Sequence, residues 1–315
     1  MTRPVILLFP GQSSRDADMF RRLDAVAPGL GAAAYARVTT RLGHAPNGFA
    51  SNLDIQVSVH ELNLTYLDLL QGLPVTASAG LSLGEYAHLV AIGALDADHS
   101  RDLVAARGAA YDEGPSGCMA AVQPIDPDEA ITLCTEICAR FDDAEAVAVS
   151  NFNSPTQCVV AGRADAVDAF MVAAEERFFA IGRIIEDRIC MHMPRFRPVS
   201  ESFALALAAA EWRVPSQSYW ANVTAQPAMA DAAIITDCLT RHVYQPVLWR
   251  QTMEAFHITY PDAVFIEVGP LQILSKMMGR RWLPQATVFA LDPMEFATPS
   301  ALTSKLEAIH AAIAA

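Results

Sequence analysis

No run of about 18 uncharged apolar residues occurs in the chain, so a membrane-spanning helix is not expected. Basic residues are in deficit. The chain has 22 Lys and Arg against 35 Asp and Glu, a formal charge of −13. A general nucleic-acid binder would need the opposite, a basic stripe. The sequence has no internal repeat and no low-complexity tract. With 52% apolar and 18% charged residues it reads as a folded globular protein rather than a disordered tail. The six cysteines (Cys118, Cys134, Cys138, Cys158, Cys190 and Cys238) contain no Cys-x-x-Cys pair. Cys134 and Cys138 fall on one helix face, but no second pair completes a zinc site. Buried thiols in a reducing cytoplasm are the expectation, with no metal. The segment from Met1 to Pro10 is not expected to be a secretory signal, because its apolar run is short and lacks a small-residue cleavage site.

What is present points to an α/β protein. A length of 315 residues suggests roughly two domains, or one large domain with an insertion. Val5–Phe9, between Pro4 and Pro10-Gly11, reads as a buried strand, followed by a mostly helical region from about Asp16 to Leu70. Pro74–Ala79 is a second strand. From residue 117 to 188 the order is strand (Cys118–Val122), helix capped by Asp126, strands Ala146–Ser150 and Gln157–Ala161, helix Ala164–Phe178 and strand Ile181–Ile185. This β-α-β-β-α-β order predicts a ferredoxin-like subdomain over 117–188, inserted into a larger body made of 1–116 and 189–315. Helices are predicted over Val199–Ala210 and Ala232–His242. Strands follow at Val264–Val268 and Thr287–Leu291, and a helix closes the chain.

Gly80-Leu81-Ser82-Leu83-Gly84 fits G-x-S-x-G, a weak pattern alone that gains weight from a strand before it and a helix after it. Glycines on both sides permit the sharp turn. The turn would expose the Ser82 hydroxyl at a helix N-terminus, where the Leu83 N–H can meet a developing oxyanion. A nucleophilic serine needs a base, and eight histidines are available. Spacing does not select among them. An ordinary α/β-hydrolase would favour His257 or His310 and would carry several strands before the turn, whereas one clear strand precedes it here.

Taken with Phe9-Pro10-Gly11-Gln12, Glu85, Arg107-Gly108, Asn153-Ser154-Pro155-Thr156-Gln157, Val160-Ala161-Gly162, Met191-His192, Pro246-Val247-Leu248-Trp249 and Glu267-Val268-Gly269-Pro270, the pentapeptide falls into a known order. Over nearly its whole length the chain resembles malonyl-CoA:acyl carrier protein acyltransferases, both free-standing and as domains of polyketide synthases. The resemblance implies a hydrolase-like α/β body with an inserted ferredoxin-like subdomain. It implies Ser82 as acylated nucleophile and His192 as base, oriented by a backbone carbonyl placed at Gln245. Backbone N–H groups of Gln12 and Leu83 would form the oxyanion hole. Arg107 would pair with the carboxylate of a malonyl-type substrate, with Gln56 and Met191 lining the cleft. The chemistry would use no cofactor: a coenzyme A thioester is the donor, and the phosphopantetheine thiol of an acyl carrier protein is the acceptor. A cytoplasmic monomer is expected. Because carrier proteins are themselves acidic, a local basic patch is expected near the cleft, with Arg188, Arg195, Arg197, Lys276, Arg280 and Arg281 as candidates.

The chain departs from the family pattern at several positions. Met191 stands for Phe before the histidine, Met193 and Phe196 replace Ser and Met after it, and Tyr111-Asp112 replaces Met-Gln after Arg107-Gly108. They leave a second reading, a larger acyl group moved between carrier proteins or editing hydrolysis of a stalled acyl chain. A retained Arg107 speaks against it, because a neutral acyl group offers the arginine no partner.

Overall fold

A computed structural model describes residues 2–46, 48–279, 282–292 and 298–315. The main sheet is parallel, with strands β1 (Val5–Phe9) and β2 (Val75–Gly80), joined later in the chain by Val264–Glu267 and Thr287–Ala290. Every β1 side chain is buried. Val5, Leu7 and Phe9 enter one core cluster, and Ile6 and Leu8 enter another with Trp249 and Phe256. That is the signature of a parallel strand covered on both faces, whose sequence is continuously apolar rather than alternating. The helical region predicted from Asp16 to Leu70 is three helices, Met19–Val26, Leu30–Leu42 and Asn52–Asp68. Gly29 and Gly43, both left-handed, flank the second. Among the described residues no helix is long and apolar enough to cross a membrane.

The second sheet holds β3 (Cys118–Gln123), β4 (Val147–Ser154), β5 (Gln157–Gly162) and β6 (Ile181–Glu186). Their spatial order is β4-β5-β3-β6, all antiparallel, the ferredoxin-like arrangement. Helices Pro127–Arg140 and Ala164–Phe178 bury their apolar stripes against it in a separate core around Phe170, Leu133 and Val160. The Asp126 side chain caps the first of them by accepting the Asp128 N–H. The other face of the sheet joins the main core through Met119, Val159 and Ala161. The chain enters and leaves this subdomain side by side: Ser116 bridges Ile189, and the Gly117 N–H donates to the Arg188 carbonyl. Asn153–Gln157 closes the β4–β5 hairpin, where the Asn153 side chain donates to Gln157 Oε1.

The remaining strands are β7 (Tyr219–Trp220), β8 (Pro227–Ala228), β9 (Val264–Glu267) and β10 (Thr287–Ala290), and the main sheet runs β10-β9-β1-β2. Helix Pro299–Ala314 closes the fold. Glu267, at the end of β9, accepts the N–H groups of Ile273, Leu274 and Ser275. The Glu267-Val268-Gly269-Pro270 motif is therefore a strand-to-helix joint, with a carboxylate on unpaired helix donors. All six cysteines are free thiols, and no three His, Cys, Asp or Glu side chains converge as metal ligands among the described residues. Burial pushes Cys158 up to about 12 and Cys118, Cys190 and Cys238 up to about 11.

Candidate active site

The carboxyl ends of β1 and β2 lie side by side, with Phe9 registered against Gly80. The segments that follow them bring Gln12 and Ser82 to one cleft, where ligands of open parallel sheets generally bind. The Ser82 backbone is left-handed, with φ 51°. Glycines make that turn possible by close approach rather than by positive φ. A Cβ on Gly84 would sit 2.0 Å from the Phe9 carbonyl oxygen, and one on Gly80 would sit 2.0 Å from Gly84. Backbone cannot yield there as a flexible side chain would. Gly84→Ala is therefore expected to cost about 3 kcal/mol or more and to lower the melting temperature by roughly 5–10 °C, read by thermal unfolding. An unchanged melting temperature would show that the helix start can move.

Ser82 Oγ is 2.7 Å from His192 Nε2, and both residues are buried. His192 also has a left-handed backbone, with φ 60°. Strain of this kind persists only where the surroundings over-determine it. Here the end of helix Ala232–His242 does so. The His192 N–H donates to the Val243 carbonyl, and Nδ1 donates to the His242 carbonyl at 2.6 Å. These are helix-terminal carbonyls with no intrahelical partner of their own. The bond fixes the tautomer, with the proton on Nδ1 and the lone pair of Nε2 facing Ser82. Assignment of this carbonyl to Gln245 is thus corrected. Gln245 lies one turn beyond the histidine contact, where its N–H donates to the Arg241 carbonyl and its side chain meets Arg241.

Asn222 and Glu85 complete the frame. The Ser82 N–H donates to Asn222 Oδ1 at 2.9 Å, and Asn222 Nδ2 donates to the Gly80 carbonyl at 2.6 Å. With its N–H engaged, Ser82 cannot serve as an oxyanion donor. Among the described residues the N–H groups of Gln12 and Leu83 meet no acceptor. The Asn222 N–H and the Tyr219 hydroxyl donate to Glu85 Oε1 at 3.2 and 2.6 Å. Nothing in local spacing marks Asn222, which reads as one polar residue in a loop before Pro227. Glu85 could have been noticed as a carboxylate inside an apolar helix beside the serine.

Arg107 is fully buried on helix Ala97–Asp112. Its Nη1 donates to Gln56 Oε1 at 2.7 Å and its Nη2 to Ser82 Oγ at 3.3 Å, while Nε has no partner. No carboxylate pairs with it among the described residues. Its guanidinium lies 4.1 Å from the centre of the Tyr111 ring, which packs edge-on against Phe196 at 5.0 Å. Two departures from the family pattern therefore form one aromatic wall. Asp112 has a structural task. Its carboxylate accepts the N–H groups of Asn52 and Leu53 and so caps the helix that carries Gln56. Gln56 Nε2 in turn donates to Gln12 Oε1 at 3.4 Å. Gln12, Leu81, Ser82, Met191 and His192 line the cleft from the main body, with Met119, Asn151, Ile185 and Glu186 from the subdomain.

Two of the basic candidates are engaged within the chain. Arg188 pairs with Glu186 and donates to the Ala50 carbonyl, and Arg195 pairs with Asp143. Arg197 is exposed and stacks over Tyr244, and Lys276 is exposed on the short helix after β9. Arg280 and Arg281 lie outside the described residues.

The family model described as the acyl transferase domain matches residues 18–285. The malonyl CoA-acyl carrier protein transacylase of Haemophilus influenzae is 32% identical over 208 residues, 64% of this chain and 64% of that protein. The protein of the same name from Escherichia coli strain K12 is 28% identical over 95% of this chain and 98% of its own length. The crystal structure of FabD from Acinetobacter baumannii superposes with a TM-score of 0.84 at 28% identity, covering 98% of this chain and all of that one. The order of motifs read from the sequence, the sheet that carries them and the span of the family model agree, and the chain belongs to the acyl transferase domain family.

Proposed function

We propose that this protein moves a malonyl group from coenzyme A to the phosphopantetheine thiol of an acyl carrier protein, through an acyl ester on Ser82. The observation that carries the reading is Arg107. A fully buried guanidinium with no carboxylate partner among the described residues is costly, and its Nη2 already lies 3.3 Å from the nucleophile. A substrate carboxylate there would supply the missing charge and could reach the unpartnered Nε. The names of the Haemophilus influenzae and Escherichia coli relatives point to the same donor and acceptor.

In the first half-reaction the Ser82 oxygen attacks the thioester carbon, and His192 Nε2 takes the hydroxyl proton. The oxyanion forms between the N–H groups of Gln12 and Leu83. Collapse breaks the carbon–sulfur bond, and the departing coenzyme A thiolate recovers the proton from His192. The carrier thiol then repeats the sequence in reverse on the ester. Both bonds broken and made across the cycle are thioesters, so no cofactor is called for. A cytoplasmic setting fits coenzyme A donors, and a monomer suffices because every group named lies on one chain. Arg197 and Lys276, exposed and without ion pairs among the described residues, are the candidates for carrier contact.

Intact-protein mass after brief incubation with malonyl-CoA, acetyl-CoA or a longer acyl-CoA tests the reading. A malonyl adduct that forms faster than either neutral adduct, and is discharged by an acyl carrier protein, is expected. Acylation or rapid hydrolysis with the neutral donors alone would sink it and favour carrier-to-carrier transfer or editing.

A further inference from the structure

We propose that the His242 side chain, backed by Glu85, is a positioning residue that locks the plane of the His192 imidazole and keeps that ring in its neutral form. The inference rests on the acyl-Ser82 reading above and assigns a task to groups that reading does not use. The His242 ring stacks on the His192 ring, with centroids 4.7 Å apart and planes 11° from parallel. His242 Nδ1 lies 2.8 Å from Glu85 Oε2, and the pair is buried. The main chain of His242 holds His192 Nδ1 as well, so one residue grips the base by its edge and by its face.

The contacts close a ring through the nucleophile. Ser82 N–H leads to Asn222 Oδ1, the Asn222 N–H to Glu85, Glu85 to His242, the His242 carbonyl to His192, and His192 back to Ser82 Oγ. The Glu85 carboxylate at Nδ1 fixes the plane of the His242 ring. Protonating His192 would then put a full charge against the stacked His242 ring in a buried, low-dielectric site. Burial, then the charge on His242, then Arg107 hold His192 well below the ordinary imidazole range, against the carbonyl bond that pulls the other way. Burial alone would raise the Glu85 carboxyl. His242, the Tyr219 hydroxyl and the Asn222 N–H more than offset that and keep it below its usual value.

His88 shares the helix of Glu85 and stacks on the Tyr219 ring. Arg107 faces His192 across Ser82, and Glu186 and Arg15 line the same cleft. Cys238 and Arg241 share the helix of His242, and Tyr86 neighbours Glu85. Helix Arg197–Ala209 packs on that helix, with Arg197 and Glu201 exposed.

His242→Gln keeps the backbone carbonyl and removes the ring, and the pH profile of kcat/KM for acylation by malonyl-CoA reads the result. The acid limb is expected to move up by roughly one pH unit, with a fall of less than about tenfold on the plateau and KM little changed. A merely structural role would lower the plateau and leave the limb in place, which overturns the proposal. Imidazole nitrogen chemical shifts in the wild-type enzyme give a second readout that needs neither variant nor turnover. His192 is expected to keep its Nδ1–H neutral form as pH falls through the ordinary imidazole range, and a normal titration would refute the inference. If wild type forms no acyl-Ser82 while His192 still resists protonation, it is the acyl-transfer reading that fails.

Discussion

Ser82→Ala and His192→Ala are each expected to lower kcat/KM for acyl transfer by roughly 10³-fold or more, and the double variant to fall little further. The reason is geometric. The 2.7 Å contact between Oγ and Nε2 makes the two side chains one device. A hydroxyl without its base is a poor nucleophile near neutral pH, and the base without the hydroxyl has nothing to activate. What survives either loss is the contribution of the unengaged N–H groups of Gln12 and Leu83 and of substrate binding, which neither substitution touches. Steady-state rates with malonyl-CoA and a carrier protein measure all three variants, and the acyl adduct seen by mass should vanish in Ser82→Ala. Losses that multiply in the double variant would mean that the two residues act independently and that another group takes the proton.

Arg107→Met is expected to cost about 10²–10⁴ in kcat/KM for malonyl-CoA, following the roughly 3–5 kcal/mol lost when one partner of a buried ion pair is removed. Transfer from acetyl-CoA should stay level or rise. The ratio between donors is therefore the sharper readout, since a general packing defect would depress both. Stability should move the other way. With substrate absent, Arg107 is a buried cation balanced by Gln56, Ser82 and the Tyr111 and Tyr86 rings, with no carboxylate among the described residues. A methionine of similar length removes that cost, so the melting temperature of the free enzyme should hold or increase. A variant that loses malonyl transfer and also unfolds early would instead make Arg107 a structural residue.

The parts of this architecture set by short-range pattern were legible before any coordinates. The β1 run, the helix capped by Asp126 and the β-α-β-β-α-β order follow from apolar periodicity and turn residues. Strand ends shifted by a few positions, as at β4, which runs on to Ser154 through bulges that pattern alone does not reveal. Ser82 was legible because the glycines that let helix and strand touch are visible in the sequence. His192 was not selected by spacing. It lies 110 residues from Ser82 and needs the left-handed bend that the helix end imposes. The carbonyl that orients it was misplaced by three residues, since that depends on where a helix stops and which way its last peptides point. Asn222 and His242, and the task of Glu85 within its motif, are not legible for a related reason. Each works through backbone or buried contacts between distant segments. Tyr111-Asp112 shows the converse: two adjacent departures from the family pattern have unrelated tasks, one on the Arg107 face and one at the N-terminus of a neighbouring helix.

The narrow neck at Ser116–Ile189 separates two things that enzymes usually have to change together. Both ends of the inserted segment are pinned at one bridge, and a second bridge at Asn151–Val247 ties its β4 strand to the main body, so the span between Ser82 and His192 does not depend on how long the insert's outer hairpins are. Yet Met119, Asn151, Ile185 and Glu186 hang from that insert over the cleft. Substituting the side chains that line the cleft from the insert re-cuts its roof, while the contact between Ser82 and His192 is held by the main body. Selection can therefore alter which acyl chain is admitted without disturbing how it is transferred.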